Sequence, residues 1–494
     1  MKVAICVSEA VPFAKTGGLA DVAGALPKAL KDRKIDSIVV MPAYKSVMDK
    51  NFNLELVESG LSVKLNETST LGFDLYRTRH EGIDFYFIRN DNFFGRENLY
   101  GTPQGDYQDN NIRFGFFSKA IFEVLLKIDF IPDIMHLHDY HFALASVFLR
   151  DIKQKDAKSP FARTSAVFTI HNIAYQGIFG PDTLGLCGID PAHFTMEGLE
   201  FYGNVNFMKA GIVYSAKITT VSPTYAQEIL TPEYGYRLEG ILASRQADLS
   251  GIINGIDYSI WDPETDKALF ANYSASDTAP KQRCKSSLIE SLFGKTDISQ
   301  GQNKGMPVIG MVSRLSEQKG IDLIAGGLEE FMKYDVYLVI LGTGDEKYHR
   351  IMQQLQDKYK ERFSLTLGYS DKLSREIYAG SDIFLMPSYY EPCGLGQLIS
   401  LKYGTIPVVR NTGGLADTII DIRTQGDIKK GGQGFKFYDY NVPAFLEALE
   451  RSVKFYRDGK SWEKIVQNGM KCDFSWDYSA GKYLSLYKSA MEKK

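Results

Sequence analysis

The sequence predicts an α/β protein of two similar halves, each a mostly parallel sheet covered by helices. Three observations predict it. Short β-type runs alternate with helical patterns through the first half, as expected of parallel strands joined by helical crossovers. The alternation gives way to a polar stretch ending at Pro280 and restarts at Met306. Six residues also occur twice, Thr16-Gly17-Gly18-Leu19-Ala20-Asp21 and Thr412-Gly413-Gly414-Leu415-Ala416-Asp417, each copy after a β-type run and at the start of a helical one.

Taken in order, Val3–Ser8, Ser37–Met41, Phe85–Ile88, Ile134–His138 and Ala166–Ile170 read as strands, with a helix over Leu19–Leu30. Lys217–Val221 is a further strand, and Pro223 just after it sits where proline favours a helix start. Ile252 to Asp257 ends a strand in an Asn-Gly turn signal, and the boundary region follows. In the second half the expected strands are Val308–Val312, Val336–Leu341, Ile383–Pro387 and Ile406–Val409. Helices are expected over Ile321–Met332 and Leu395–Tyr403, and Asp477–Lys494 reads as a closing helix. The resulting division is 1–253, 254–476 including the linker, and 477–494 packing back on the N-terminal domain. Ligands of open α/β sheets collect at the carboxyl ends of the strands, so two such domains are expected to face each other across a deep inter-domain cleft.

Length and composition narrow the function. At 494 residues the chain exceeds one ordinary core, and 44% hydrophobic with 24% charged residues is the balance of a globular protein. A net charge of −3 gives no electrostatic footprint for nucleic acid or an anionic membrane. Any phosphate must therefore be met by local cations. Five scattered cysteines without a Cys-x-x-Cys pair suit reduced thiols, and no apolar run nears the ~20 residues that span a bilayer. The N-terminal stretch carries Glu9 among apolar residues and reads as a buried strand, not a leader. The expected location is cytoplasmic.

A threonine and two glycines at a helix start expose backbone N–H groups, so each repeat is a candidate phosphate cradle, although threonine also simply caps helices. Only the first carries a cation beside it, Lys15, where the second has Asn411. Arg314 and Lys319 share a loop between a strand and a helix start, a pairing that suits a diphosphate leaving group. No Asp-x-Asp occurs in the sequence, which favours cationic side chains over a divalent metal. Glu391-Pro392-Cys393-Gly394-Leu395 places a carboxylate beside a glycine-rich helix start, where it can accept from sugar hydroxyls. Cys393 reads as a packing residue. His136, His138 and His141 surround Asp139, but no further ligand completes a zinc set; His136 is read as core, with His138 and Asp139 emerging at the strand's end. His171 also ends a strand, and the residues alone leave it as a general base, a sugar ligand or a positioned backbone. Gly342-Thr343-Gly344 lacks the third glycine of a dinucleotide fingerprint, since Lys347 stands there.

Together these residues resemble the bacterial glycogen synthase and plant starch synthase family over nearly the whole chain. The resemblance is carried by Lys15-Thr16-Gly17-Gly18-Leu19, His138-Asp139, His171-Asn172, Asn254-Gly255-Ile256-Asp257, Ser313-Arg314, Lys319-Gly320, Gly368-Tyr369-Ser370, Glu391-Pro392-Cys393-Gly394-Leu395 and Thr412-Gly413-Gly414-Leu415. It implies the GT-B fold of two Rossmann-like domains, no cofactor, and retaining transfer of glucose from ADP-glucose to an α-1,4-glucan. By the same resemblance, Lys15 and Gly18 meet the donor's phosphate and sugar, Arg314 and Lys319 neutralise the diphosphate, and Tyr369 stacks on the base. Glu391, Asn254 and the backbone at Cys393, Gly394 and Leu395 hold glucose, while Asp139 and His171 line the reaction centre. The alternatives are a related transferase using UDP-glucose or another acceptor, and a glucan-binding protein without activity. The chain departs from the family at Tyr140, where tryptophan is common, and at Tyr389-Tyr390. Ile399 stands where some related transferases carry a second glutamate, which favours the glycogen synthase branch.

Overall fold

The computed structural model describes residues 1–102, 104–295 and 305–492. The chain divides into two compact units, Met1–Gly255 with Trp476–Lys494, and Ile256–Ser475. Residues 493 and 494 of the expected closing helix lie outside the described residues. Among the described residues no helix is long and apolar enough to cross a membrane.

The first unit is built on a nine-stranded sheet. From edge to edge its strands are Leu249–Gly251, Lys217–Thr220, Ser165–Ile170, Ile134–His138, Lys2–Cys6, Asp36–Pro42, Ile83–Arg89, Thr70–His80 and Glu55–Lys64. All pairings from the first of these edges to Ile83–Arg89 are parallel, whereas the last two strands add antiparallel. Burial explains the difference. Ile134–His138 and Ser165–Ile170 are buried along their whole length, as strands covered on both faces must be. Glu55–Lys64 is exposed at most positions and carries Glu55, Glu58 and Lys64, charges that discourage further pairing at an open edge.

Strand order reverses between Lys2–Cys6 and Ile134–His138. The connections leaving these neighbours diverge there and open a crevice at their carboxyl ends. Helix Gly18–Asp32 starts on one side of that crevice and helix Tyr140–Lys155 on the other. Helix Trp476–Glu492 returns to this unit and packs on Gly18–Asp32 and on strands Ile134–His138 and Ser165–Ile170. It buries Trp476, Tyr483, Leu486 and Tyr487, and the Arg33–Asp477 ion pair at 2.8 Å fastens its start.

The second unit holds a six-stranded sheet, parallel throughout, in the order Phe363–Leu367, Tyr337–Gly342, Val308–Val312, Ile383–Met386, Ile406–Arg410, Phe435–Phe437. Numbered along the chain this is 3-2-1-4-5-6, the doubly wound order of a mononucleotide-binding fold pair. Its switch point lies between Val308–Val312 and Ile383–Met386. The loops leaving those two strands carry Arg314 with Lys319 and Glu391.

Candidate active site

In the second unit, Gly320 makes the site loops converge. It has φ of +73°, and a Cβ there would lie 2.1 Å from the Pro387 carbonyl oxygen, so only glycine lets the two backbones come this close. The contact is fixed by Tyr389 N–H donating to Gln318 O at 2.9 Å. As a result Lys319 Nζ reaches Glu391 Oε2 at 2.6 Å, and Ser388 Oγ donates to the same oxygen at 3.0 Å. This pair is buried, with side chains 17% and 8% exposed. An ammonium has three donors, so Lys319 can serve Glu391 and an anionic ligand together. Arg314 is exposed on the same loop, its Nη2 3.4 Å from Gln318 Oε1.

The second Thr-Gly-Gly copy supports this loop from behind. Gly413 has φ of +43° and its hypothetical Cβ would sit 1.9 Å from Glu391 O; Gly414 N–H donates to that carbonyl at 3.1 Å. The repeat thus sets the backbone of Glu391, and a phosphate cradle is not what its glycines are spent on. Cys393 is buried, and Gln397 Nε2 bridges the carbonyls of Cys393 and Gly394 at 3.0 Å each, ahead of helix Gly396–Lys402. Tyr369 follows strand Phe363–Leu367 and is 81% exposed, an open aromatic face.

In the first unit the first copy is capped differently. The Glu9 carboxylate, 4% exposed, accepts from the N–H groups of Thr16 and Gly17, the latter at 3.1 Å, and from Thr16 Oγ1 at 2.8 Å. Tyr100 Oη lies 2.9 Å from it. The anion that satisfies this loop is therefore a side chain of the protein, which corrects the reading of Thr16-Gly17 as an open phosphate cradle. Gly18 begins the helix, and exposed Lys15 pairs with Asp21 at 2.7 Å. Glu9→Gln puts an amide N–H₂ among donors and should destabilise the protein by about 1–3 kcal/mol, read by urea denaturation; unchanged stability would remove Glu9 from this role.

Across the crevice, Asp139 and His171 end adjacent strands. Asp139 has φ of +56° and ψ of −178°, a conformation costly for any residue with a Cβ. Its N–H donates to Thr169 O at 2.9 Å, and its Oδ1 accepts from His171 N–H at 2.8 Å. The strained turn is held by the very strand that delivers His171. Burial pushes the Asp139 carboxyl up to about 7, against the lowering effect of its backbone hydrogen bonds from His171 and Asn172.

His171 Nε2 lies 2.8 Å from His138 Nδ1. Burial drives His171 down to about 3 and His138 well below the ordinary value, so both rings are neutral and one donates to the other. A base this weak moves little of a proton at neutral pH, which leaves hydrogen bonding and main-chain placement as what His171 can offer. His138 does not emerge at the strand's end as expected; it is fully buried. His136 and His141 are likewise engaged inside the unit, His136 with Thr169 and Tyr487, His141 beside Ser8 and packed on Tyr100, Phe114 and Tyr140. Asn254 lies in the first unit, after strand Leu249–Gly251, with its Oδ1 buried and unpartnered among the described residues. Glu9, Tyr100 and His138 are the residues here that sequence reasoning assigned no such place; an acid inside an apolar run was the signal for Glu9.

Two doubly wound units, each with polar and charged residues gathered where strand order reverses, define a glycosyltransferase of the GT-B class. Residues 2–244 match the starch synthase catalytic domain family and residues 294–471 match the glycosyl transferases group 1 family. The chain belongs to the glycogen synthase family: it is 45% identical to the glycogen synthase of Geotalea uraniireducens (strain Rf4) over 495 residues, covering 100% of both chains. It is 44% identical to glycogen synthase 2 of Geobacter sulfurreducens over 493 residues, covering 100% of this chain and 99% of the other. The solved catalytic domain of starch synthase IV from Arabidopsis thaliana, bound to ADP and acarbose, superposes with a TM-score of 0.88 at 32% identity over 99% of each chain. The sucrose-phosphate synthase of Thermosynechococcus elongatus shares the fold at a TM-score of 0.60, 15% identical over 100% of each chain.

Proposed function

We propose that the protein transfers glucose from ADP-glucose to the non-reducing end of an α-1,4-glucan, with retention at the anomeric carbon. The observation that carries this reading is the buried Lys319–Glu391 pair at the switch point of the second unit, a cation for a leaving diphosphate fixed beside an acceptor for sugar hydroxyls. Arg314 adds a second cation on the same loop. Tyr369 offers its open face to the base, and the ADP bound by the Arabidopsis relative supports an adenine nucleotide. The backbone at Cys393, Gly394 and Leu395 and the unpartnered Asn254 Oδ1 suit glucose hydroxyls, since a buried acceptor calls for a donor.

In the reaction the bond between the anomeric carbon and the diphosphate oxygen breaks, the acceptor's 4-hydroxyl oxygen forms the new glycosidic bond on the same face, and its proton passes to the departing diphosphate as ADP leaves. Lys319, Arg314 and Lys15 offset charge growing on the diphosphate, and Gly18 leaves room at the helix start for the donor. To the Asp139 carboxylate and the His171 main-chain carbonyl this reading assigns the stabilisation of the carbon as it becomes cationic. No step needs a metal.

The test is an incubation with glycogen and either ADP-glucose or UDP-glucose, reading released nucleotide and chain extension, with and without a chelator. Extension from ADP-glucose that survives chelation is expected. Preference for UDP-glucose or loss on chelation would overturn the donor and metal-free readings respectively, and nucleotide binding without extension would indicate a binding protein.

A further inference from the structure

We propose that Tyr487, on the returning helix Trp476–Glu492, is a positioning residue for the reaction centre, acting through His136 on both Asp139 and His171. The inference rests on the glycosyltransferase reading above. It begins from a chain of contacts whose inner members, Tyr487, His136, Thr169 and His138, are all fully buried. Tyr487 Oη lies 2.8 Å from His136 Nδ1, and His136 Nε2 lies 2.6 Å from Thr169 Oγ1. Burial holds His136 neutral, down to about 3. One tautomer then satisfies both bonds: the phenol donates to Nδ1, and Nε2–H donates to the threonine oxygen.

Two branches leave this point. The Thr169 carbonyl accepts a hydrogen bond from the Asp139 N–H, so the residue whose hydroxyl accepts the His136 hydrogen bond also fixes the strained turn of Asp139. The His136 ring also lies 4.0 Å from that of His138, centre to centre, and His138 Nδ1 is 2.8 Å from His171 Nε2. A hydroxyl on the last helix of the chain thereby sets one imidazole, and that imidazole orients both neighbours of the reacting carbon. A geometry held to within about an ångström is worth up to a hundredfold in rate, so loosening it is costly even at a distance.

The test is Tyr487→Phe in the full chain, which removes the hydroxyl and keeps the ring, with Thr169→Val as a second variant that removes the other partner. Each should lower kcat about tenfold, with KM for the donor and affinity for ADP unchanged. Each should also shift the imidazole nitrogen resonances of His138 and His171, readily assigned in a protein with seven histidines. Unmoved resonances would overturn the proposal, as would a lowered Tm with kcat intact, or kcat and ADP affinity falling together. A wild-type protein that turns over neither nucleotide sugar would remove the functional reading instead, and the resonances would still decide whether Tyr487 sets the two rings.

Discussion

Replacing Lys319 by alanine is expected to lower kcat at least about a hundredfold, roughly 3 kcal/mol of transition-state stabilisation, because a preorganised cation at the leaving group is worth that much in a shielded site. The structure adds a second consequence. Lys319 is 2.6 Å from Glu391 in a pair whose side chains are 17% and 8% exposed. Removing one partner leaves a carboxylate in a poorly solvated place, and breaking a buried pair costs about 3–5 kcal/mol of stability. The single variant should therefore lose both activity and stability.

The two losses separate in the double variant Lys319→Ala with Glu391→Gln. A neutral amide no longer needs the cation, so most of the lost stability should return, while kcat stays low. Urea denaturation and steady-state kinetics on the same preparations read the two effects. If Lys319→Ala retains turnover within a few fold of wild type while losing stability, Lys319 serves Glu391 alone and has no part in holding the diphosphate. Arg314→Ala provides the contrast: it should also lose activity, but with little change in stability, since Arg314 is exposed and polar contacts at the surface, such as its 3.4 Å approach to Gln318, contribute little.

The fold was legible because its signal is local. Runs such as Ile134–His138 and Val308–Val312 are apolar enough to be read as buried parallel strands, and each has the same bounds in the structure. Strands Glu55–Lys64 and Thr70–His80 escaped, since an exposed antiparallel edge carries polar residues and leaves no apolar run. The site was legible only as far as chemistry sits on one loop. Arg314, Lys319 and Glu391 could be singled out from sequence; that Lys319 and Glu391 touch depends on Gly320 passing Pro387, a contact across 67 residues of chain that no window of sequence contains. The two Thr-Gly-Gly repeats show the same limit. Identical in sequence, they differ in what lies against them, Glu9 in one case and the carbonyls of Glu391 and Pro392 in the other.

Asp139→Asn should make the protein more stable and much less active, with the gain in stability confined to a defined pH range. In the folded chain the Asp139 carboxyl is raised from 3.8 to about 7 by burial. Between those values the folded state holds a proton that the unfolded chain has released, so wild-type stability falls as pH rises from about 4 to about 7 and stays reduced above. Asparagine removes this titration. It keeps an oxygen for the His171 N–H, and its Cβ meets the same backbone cost as that of aspartate at the positive φ found here. The Tm difference between variant and wild type should accordingly be small near pH 4, grow toward pH 7 and then level off. Activity should move the other way: a neutral amide cannot offset the positive charge that develops at the anomeric carbon, and kcat should fall about a hundredfold. In the wild type, kcat should rise with pH through about 7 as Asp139 ionises, and the variant should lack that limb. Equal kcat for the two proteins above pH 8 would show that the carboxylate charge takes no part in catalysis, whereas a variant no more stable than wild type at any pH would show that Asp139 is ionised at no cost to the fold.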